Sequence, residues 1–240
     1  MSDVESPQPD GLIARLTQME KPADVVQAGA TCLAQMLDGF NWVSSRQSLE
    51  RRRAGRREVI TLEKSKWNRS GQSIQFIVAN LTVFDDGLAA WRRANPELTV
   101  RRPESVEAIV CASSFLDTSS EHDVMLTRPE ERWARLEQCA THLRGTALPW
   151  FAGSADPERL PQTVPDTLLT ARGFAQDLIE FLISSGHHAQ ARELWKRVLE
   201  RNAAHQQAFT AGQDMARSGE EPRWHTPEAL GWSASVLRLR

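Results

Sequence analysis

The stretch from Arg57 to Phe84 constrains the fold more than any other part of this 240-residue chain. Residues 59–67 and 74–83 are rich in β-branched and aromatic side chains, and a polar segment containing Gly71 separates them. This composition predicts two paired strands joined by a turn. Apolar residues recur at every second position of the second strand, which predicts one buried face formed by Ile77, Ala79, Leu81 and Val83.

The segments that flank this hairpin predict an α+β fold. Residues 40–53 continue the strand pattern on one side, and residues 105–115 continue it on the other. Apolar stripes at helical spacing predict helices over residues 23–37 and 129–143, and a shorter helix is predicted over residues 86–94. The expected domain is therefore an antiparallel sheet of about four strands covered by helices, with both long helices on the same face.

The positions of proline and glycine residues predict how the rest of the chain is organised. Residues 1–22 are expected to form an N-terminal tail, and residues 23–152 the α+β domain. Five prolines and glycines predict a linker within residues 148–165. An all-helical extension is then expected over residues 166–218, followed by a C-terminal tail over residues 219–240.

Composition indicates a soluble protein of the cytoplasm. Hydrophobic residues make up 40%, charged residues 25%, and the formal net charge is −2, so bulk charge favours neither nucleic acid nor an anionic membrane as partner. No apolar run has the length of a membrane span, and the N-terminus lacks the apolar region of a secretory signal. Cys32, Cys111 and Cys139 are widely spaced, which predicts reduced thiols without a disulfide or zinc site, and no cofactor motif occurs.

The strongest candidate binding residues lie in the predicted hairpin. Lys64 and Lys66 follow the apolar residues of the first strand, where their stems can extend over the sheet and their ammonium groups can meet a carboxylate or phosphate. Trp67 and Arg69 add an aromatic and a third cation, and Asn80 on the next strand offers a neutral hydrogen-bonding group. The alternative is that both lysines are solvated while Trp67 fills the end of the core.

Two other segments carry possible chemistry. Five arginines between Arg51 and Arg57 surround a predicted turn, which suggests either a nucleic-acid contact or a charged, soluble sheet edge. The loop Glu121-His122-Asp123 offers a base or metal ligand for a hydrolase or nuclease, although adjacent loop residues rarely point at one ion. The chain contains no Walker, Rossmann, HExxH or GxSxG motif.

The order of elements over residues 24–151 resembles a bacterial family called domain of unknown function 4304. The resemblance rests on Gly39-Phe40, the segment Val59 to Ser65, the run Phe76 to Val83, Trp133, and the exit Leu148 to Phe151. It implies an α+β fold in a bacterial protein and no particular reaction, and Ala112 to Phe115 departs from the Arg and Gly pattern that the family tends to carry after its fourth strand. Residues 167–217 resemble a single helical hairpin of the tetratricopeptide type.

Together these features favour a binding or regulatory protein without catalytic activity, whose partner is a protein and whose role could be of the immunity type. Nucleic-acid binding through the Arg51–Arg57 hairpin is the first alternative. A metal-dependent hydrolase or nuclease that uses His122 is the second.

Overall fold

The computed structural model describes residues 9–102, 109–114, 123–170 and 174–239. Its strands are β1 (Asn41–Val43), β2 (Ser48–Arg53), β3 (Arg56–Lys64), β4 (Gln75–Asp85), β5 (Ile109–Ser114) and β6 (Asp123–Met125). Its α-helices are α1 (Pro9–Gln18), α2 (Pro22–Met36), α3 (Asp86–Ala94), α4 (Arg132–Gly145), α5 (Ala147–Gly153), α6 (Leu160–Thr163), α7 (Ala175–Ser184), α8 (His188–Arg201), α9 (Gln206–Ser218) and α10 (Pro227–Val236).

The predicted α+β class is confirmed. The strands lie in the order β1-β2-β3-β4-β5, and β6 also pairs with β4. The pairing of β1 with β2 is antiparallel, as is that of β6 with β4, where Met125 lies opposite Gln75. The described sheet has six strands instead of about four. A turn at residues 44–47 divides the predicted first strand in two, and β6 occupies part of a segment predicted to be a polar loop.

The chain forms two compact units that alternate along the sequence. The first contains residues 1–52, 59–81 and 114–149, and the second contains residues 53–58, 82–113 and 150–240. Neither unit is a continuous segment, because strands β2, β3 and β4 each contribute residues to both. The second unit therefore combines the C-terminal helices with the middle of the chain.

In the first unit, α2 and α4 pack over the sheet around Gly29. A Cβ atom on Gly29 would lie 2.9 Å from Leu126 Cδ1 and 3.7 Å from atoms of Leu136 and Phe76. Leu136 belongs to α4 and the fully buried Phe76 to β4, so both helices meet at one place above the sheet. The absence of a side chain at Gly29 permits this close approach.

The buried guanidinium of Arg132 holds the beginning of α4 in the first unit. Its Nε donates to the carbonyl of Leu126 at 2.7 Å, and its Nη1 donates to the carbonyls of Leu16 and Met19 at 2.5 and 2.8 Å. The side chain therefore ties the end of α1 to the segment between β6 and α4. Three backbone carbonyls thus solvate one buried charge, which is a use of arginine's fixed donor geometry.

In the second unit, α7 and α8 form the predicted helical hairpin. Gly186 has φ 81°, and the N–H of His187 donates to the carbonyl of Leu182 at 2.8 Å, which is the Schellman end of a helix. Trp195 on α8 is buried and lies 5.6 Å from the ring of Phe209 on α9. The third helix, α9, therefore packs against this hairpin within the same unit.

The segments predicted to be a linker and a C-terminal tail are largely helical. Residues 148–165 contain most of α5 and all of α6, and Phe151 and Leu160 are fully buried. Residues 227–236 form α10, which begins where the hydroxyl of Thr226 accepts a hydrogen bond from the N–H of Ala229 at 3.3 Å. Proline stands in the first turn of α6 and of α10, and this position favours a helix as readily as it marks a linker.

Candidate functional site

Hydrogen bonds fix the turn between β3 and β4 in one conformation. The side chain of Asn68 donates to the carbonyl of Gln75 at 2.8 Å and accepts from its N–H at 2.9 Å. The N–H of Arg69 donates to the carbonyl of Ser73 at 2.7 Å, and Gly71 takes φ 71° inside this small loop. The turn is therefore closed by backbone and side-chain bonds, and the residues beside Asn68 are presented on an ordered support.

Trp67 projects from this turn into solvent. Its side chain is 64% exposed, so it does not fill the end of the core. The ammonium of Lys66 lies 5.1 Å from the centre of the Trp67 ring, and Lys64 and Arg69 are also exposed. We call Lys64, Lys66, Trp67 and Arg69 the Trp67 patch.

Met125 adds a second exposed apolar side chain at this end of the sheet. Trp67 and Met125 are the large hydrophobic residues that are exposed in the described parts of the chain, at 64% and 41%. Met125 pairs with Gln75, the residue that Asn68 binds, and Asn68 follows Trp67 in the sequence. The two apolar side chains thus belong to segments that meet at the same turn.

Asn80, the fifth predicted site residue, lies apart from the Trp67 patch. It is half-buried in the middle of β4. Five residues separate it from Gln75, which corresponds to roughly 16 Å along an extended strand. The structure therefore places the Lys66 ammonium beside Trp67, with Lys64 and Arg69 exposed nearby in the sequence, and it places Asn80 elsewhere on the sheet.

The arginines of the β2–β3 hairpin are largely engaged with the protein. Arg51 is buried, donates to the carbonyl of Asp38 at 3.0 Å, and lies 4.6 Å from the Phe40 ring. The Arg57 guanidinium lies 4.1 Å from the Phe84 ring, in the second unit. Because Arg51 and Arg57 make these internal contacts, the run presents less positive surface than its sequence suggests.

The structure describes one residue of the predicted Glu121-His122-Asp123 loop. Glu121 and His122 lie outside the described residues, and Asp123 is exposed at the start of β6. Elsewhere in the described segments, no three His, Cys, Asp or Glu side chains are grouped as a metal site would require. Cys32 and Cys139 are free and buried, and burial raises the pKa of the Cys139 thiol to about 12.

A buried cluster of four charges occupies the second unit. Arg92 donates to Asp177 Oδ1 at 2.6 Å and to Glu180 Oε2 at 2.7 Å. Arg102 donates to Asp177 Oδ1 at 2.7 Å and to Glu180 Oε1 at 2.5 Å. All four side chains are at most 3% exposed, and Gln176 adds a 2.9 Å hydrogen bond to Glu180. Two cations and two anions give the cluster no net charge.

The two carboxylates of this cluster differ in how well their charge is compensated. Burial raises the pKa of Glu180, but the guanidiniums of Arg102 and Arg92 outweigh it and the pKa is lowered. Burial raises the pKa of Asp177 more than the same two guanidiniums lower it. The Oδ2 atom of Asp177 is buried without a hydrogen-bond partner in the described structure, which agrees with this difference.

Sequence reasoning missed this cluster because its members lie far apart in the chain. Arg92 and Arg102 belong to the middle of the sequence, and Asp177 and Glu180 belong to α7. One local signal exists: α7 is apolar around these two carboxylates, which stand three residues apart on one face. Buried acids in such a helix require partners, although the sequence does not identify them.

A cleft of about 1300 Å³ lies beside the cluster in the second unit. Arg102 contributes to its wall together with His205, Trp224 and His225. The rings of Trp224 and His225 are stacked, with centroids 3.6 Å apart and an angle of 24° between their planes. His225 takes φ 59°, in the left-handed region that few non-glycine residues adopt.

None of the described helices combines the length and apolarity needed to cross a membrane. Comparison with protein-family models, curated proteins and solved structures finds no match for this chain.

Proposed function

We propose that this chain is a binding or regulatory protein of the bacterial cytoplasm that engages an acidic protein surface through the Trp67 patch. The exposed Trp67 beside the Lys66 ammonium is the observation that carries the proposal. An aromatic side chain at 64% exposure leaves a large apolar area in water, and covering it with a partner recovers that free energy.

Charge defines the class of partner. The Lys66 ammonium lies beside the Trp67 ring, and Lys64 and Arg69 are exposed cations within three residues of Trp67. Interfaces that combine a central aromatic with a cationic rim match acidic partners that present an apolar residue among carboxylates. The hydrogen bonds of Asn68 order the backbone next to Trp67 before binding, so less backbone entropy remains to be lost there.

Binding to a peptide array of varied acidic content tests the proposal. We expect acidic peptides with an aromatic or aliphatic residue to bind, and Trp67→Ala to weaken binding by about thirtyfold, which corresponds to the roughly 2 kcal/mol of an aromatic hot spot. The double variant Lys64→Glu with Lys66→Glu should also lose binding. Both should keep the wild-type stability within about 0.5 kcal/mol because the residues are exposed.

The chain supplies a matched control on α8, where Arg192 and Lys196 are exposed. Arg192→Glu with Lys196→Glu changes the net charge by the same amount in the second unit. Equal binding by the Lys64 and Lys66 variant and the wild type would refute the proposal. Equal losses in both double variants would indicate attraction by net charge alone.

Nucleic-acid binding through the Arg51–Arg57 hairpin is the alternative, with Arg52 and Arg53 as its exposed residues. It would show as retention of RNA or DNA that falls steeply with added salt and that Arg52→Glu with Arg53→Glu removes. The engagement of Arg51 and Arg57 with neighbouring rings favours the protein-binding proposal over this one. A hydrolase or nuclease that depends on His122 remains a hypothesis to be tested by metal-dependent turnover lost in His122→Ala.

The resemblance to domain of unknown function 4304 remains a prediction. The resemblance supports only a bacterial protein with an α+β domain and adds nothing about its binding partner.

A further inference from the structure

The pairing of β6 with β4 fixes the direction of the backbone groups at Met125. The carbonyl of Ile74, just before β4, accepts from the N–H of Leu126 at 2.7 Å, so the backbone of Ile74 faces β6. The next residue, Gln75, turns its N–H and its carbonyl to the side chain of Asn68 instead. Met125 lies opposite Gln75 and therefore belongs to a pair without mutual hydrogen bonds. Its own N–H and carbonyl point away from β4.

The same alternation leaves an unpaired edge on β6. Asp123, two residues before Met125, also directs its backbone groups outward, whereas Val124 directs its groups to β4. Among the described strands β6 pairs with β4 alone, and no described residue binds the outward groups of Asp123 and Met125. Both residues are exposed. Unpaired N–H and carbonyl groups on an exposed strand are a template for another extended chain.

Side chains distinguish this edge from the opposite edge of the sheet. Met125 is 41% exposed, whereas β1, the strand at the opposite edge, presents no exposed large hydrophobic side chain. Gln75 connects the Met125 end of β6 to Asn68, the residue that follows Trp67. This end of the edge therefore leads to the turn that carries the cations of the Trp67 patch. Asp123 is the charged residue of β6 and stands at the other end.

We propose that the partner adds an extended acidic segment to the sheet, paired antiparallel with β6. The inference rests on the proposed function, because it specifies how the partner of the Trp67 patch is held. Main-chain hydrogen bonds to Met125 and Asp123 fix the segment, and one of its β-branched residues packs beside the Met125 side chain. Its acidic residues lie at the Met125 end, towards the cations and away from the Asp123 carboxylate. Antiparallel pairing, the more stable arrangement, places the amino end of the segment there.

Met125→Pro tests the pairing on the protein. The N–H that proline lacks points away from β4, so the variant keeps its sheet, as edge strands allow. The probe is the peptide Ac-Glu-Glu-Val-Thr-Val-Thr-NH2, titrated calorimetrically. We expect a submillimolar dissociation constant for the wild type and for Met125→Leu, which keeps the N–H and an apolar side chain, and at least about tenfold weaker binding for Met125→Pro. Replacing both glutamates of the peptide by glutamine should weaken binding about fivefold, and equal binding would refute the acidic class.

Methylation of the peptide backbone tests the pairing on the unaltered protein. Only alternate residues of a paired strand donate to β6. Methylating the two valine nitrogens or the two threonine nitrogens should therefore weaken binding at least about tenfold in one case and leave it unchanged in the other. The Met125 amide should also exchange rapidly with deuterium in the free protein and slowly in the complex.

The outcomes separate this inference from the proposed function. Binding that Trp67→Ala weakens, but that Met125→Pro and both methylated peptides leave unchanged, would overturn the pairing and retain the Trp67 patch. Binding that Met125→Pro removes and Trp67→Ala leaves unchanged would support the pairing and refute the patch. Absence of binding to the wild type would overturn the pairing, while the peptide array judges the Trp67 patch separately. A wild-type dimer that Met125→Pro dissociates would also overturn it, because a second copy would then occupy the edge.

Discussion

The crossing of α9 and α10 depends on two glycines, and an alanine at either position should force the helices apart. A Cβ atom on Gly231 would lie 2.0 Å from the carbonyl oxygen of Phe209, and one on Gly212 would lie 1.9 Å from the carbonyl oxygen of Glu228. Ordinary carbon–oxygen contacts are about 3.3 Å or longer. The helix backbones must therefore separate by roughly 1.3 Å, since no flexible side chain can move away.

The expected magnitude combines two opposing effects. Gly→Ala in a helix interior ordinarily stabilises by about 1 kcal/mol. Overpacking a closed interface costs about 1 to 3 kcal/mol, and more where backbone must shift. The collision at Gly231 is with backbone, so we expect a net loss of about 2 kcal/mol, which lowers Tm by about 4 to 8 °C for a chain of this size.

Thermal and urea denaturation followed by far-ultraviolet circular dichroism measure this loss. Gly11→Ala on α1 is the matched control, because a Cβ atom there meets nothing within 4 Å, and it should leave stability unchanged or raise it. The double variant Gly212→Ala with Gly231→Ala should cost less than the sum of the single changes, because one separation of the helices accommodates both. A Gly231→Ala protein as stable as the wild type would refute the close crossing.

Three further predictions concern the second unit. Arg92→Met leaves Asp177 and Glu180 with one guanidinium and should lower the free energy of unfolding in urea titrations by about 3 to 5 kcal/mol. Arg93→Met, at the exposed neighbouring position, should change this free energy by less than about 0.5 kcal/mol. Similar losses in both variants would contradict the buried cluster. Trp195→Ala should lower the free energy of unfolding by about 3 to 5 kcal/mol, because Trp195 is only 4% exposed and its ring contacts that of Phe209. Unchanged stability together with lost partner binding would instead place Trp195 on an interface. Burial lowers the pKa of His225 in the folded protein below its usual 6.5. As the pH falls, the His225 side chain therefore becomes protonated in the unfolded chain before it does in the folded protein. The stability that comes from keeping His225 neutral is present above pH 6.5 and is lost below it. The Tm of the wild type should therefore fall more between about pH 7.5 and 5.5 than that of His225→Asn, and parallel curves would contradict the shift.

The sequence predicts those helices and strands that are determined by interactions between residues close together in the chain. The alternating apolar residues of β4 predict the strand, in which Ala79, Leu81 and Val83 are buried as expected, whereas Ile77 is half-buried. Asp85 caps α3 as its position suggests, with its carboxylate accepting from the N–H of Leu88 at 2.8 Å. In each case the deciding interactions lie within a few residues of one another.

The features that sequence does not predict depend on contacts between distant segments. Gly212 stands alone in a helical pattern, where a glycine more often signals reduced helix stability than a close crossing, and Gly231 lies in a segment expected to be a tail. The cleft arises where Arg102 meets Trp224 and His225 from a segment expected to be a tail. Proline at the start of α6 and α10 resembles an interruption in the sequence, although its fixed φ suits a first helical turn equally well.

Arginine outnumbers lysine 25 to 4, and four of the arginines make buried contacts. Arg51 and Arg132 donate to backbone carbonyls while buried, and Arg92 and Arg102 each bridge two carboxylates. A planar guanidinium can serve several acceptors at fixed angles and is weakly hydrated, so it can be enclosed where an ammonium cannot.

All four lysines, in contrast, are exposed, and two of them belong to the Trp67 patch. A run of arginines in this chain is therefore poor evidence for a nucleic-acid surface, because Arg51 and Arg57 make internal contacts with aromatic rings. A lysine is the better indicator of charge that faces solvent. This difference favours the turn after β3, more than the arginine hairpin before it, as the place where a partner would meet positive charge.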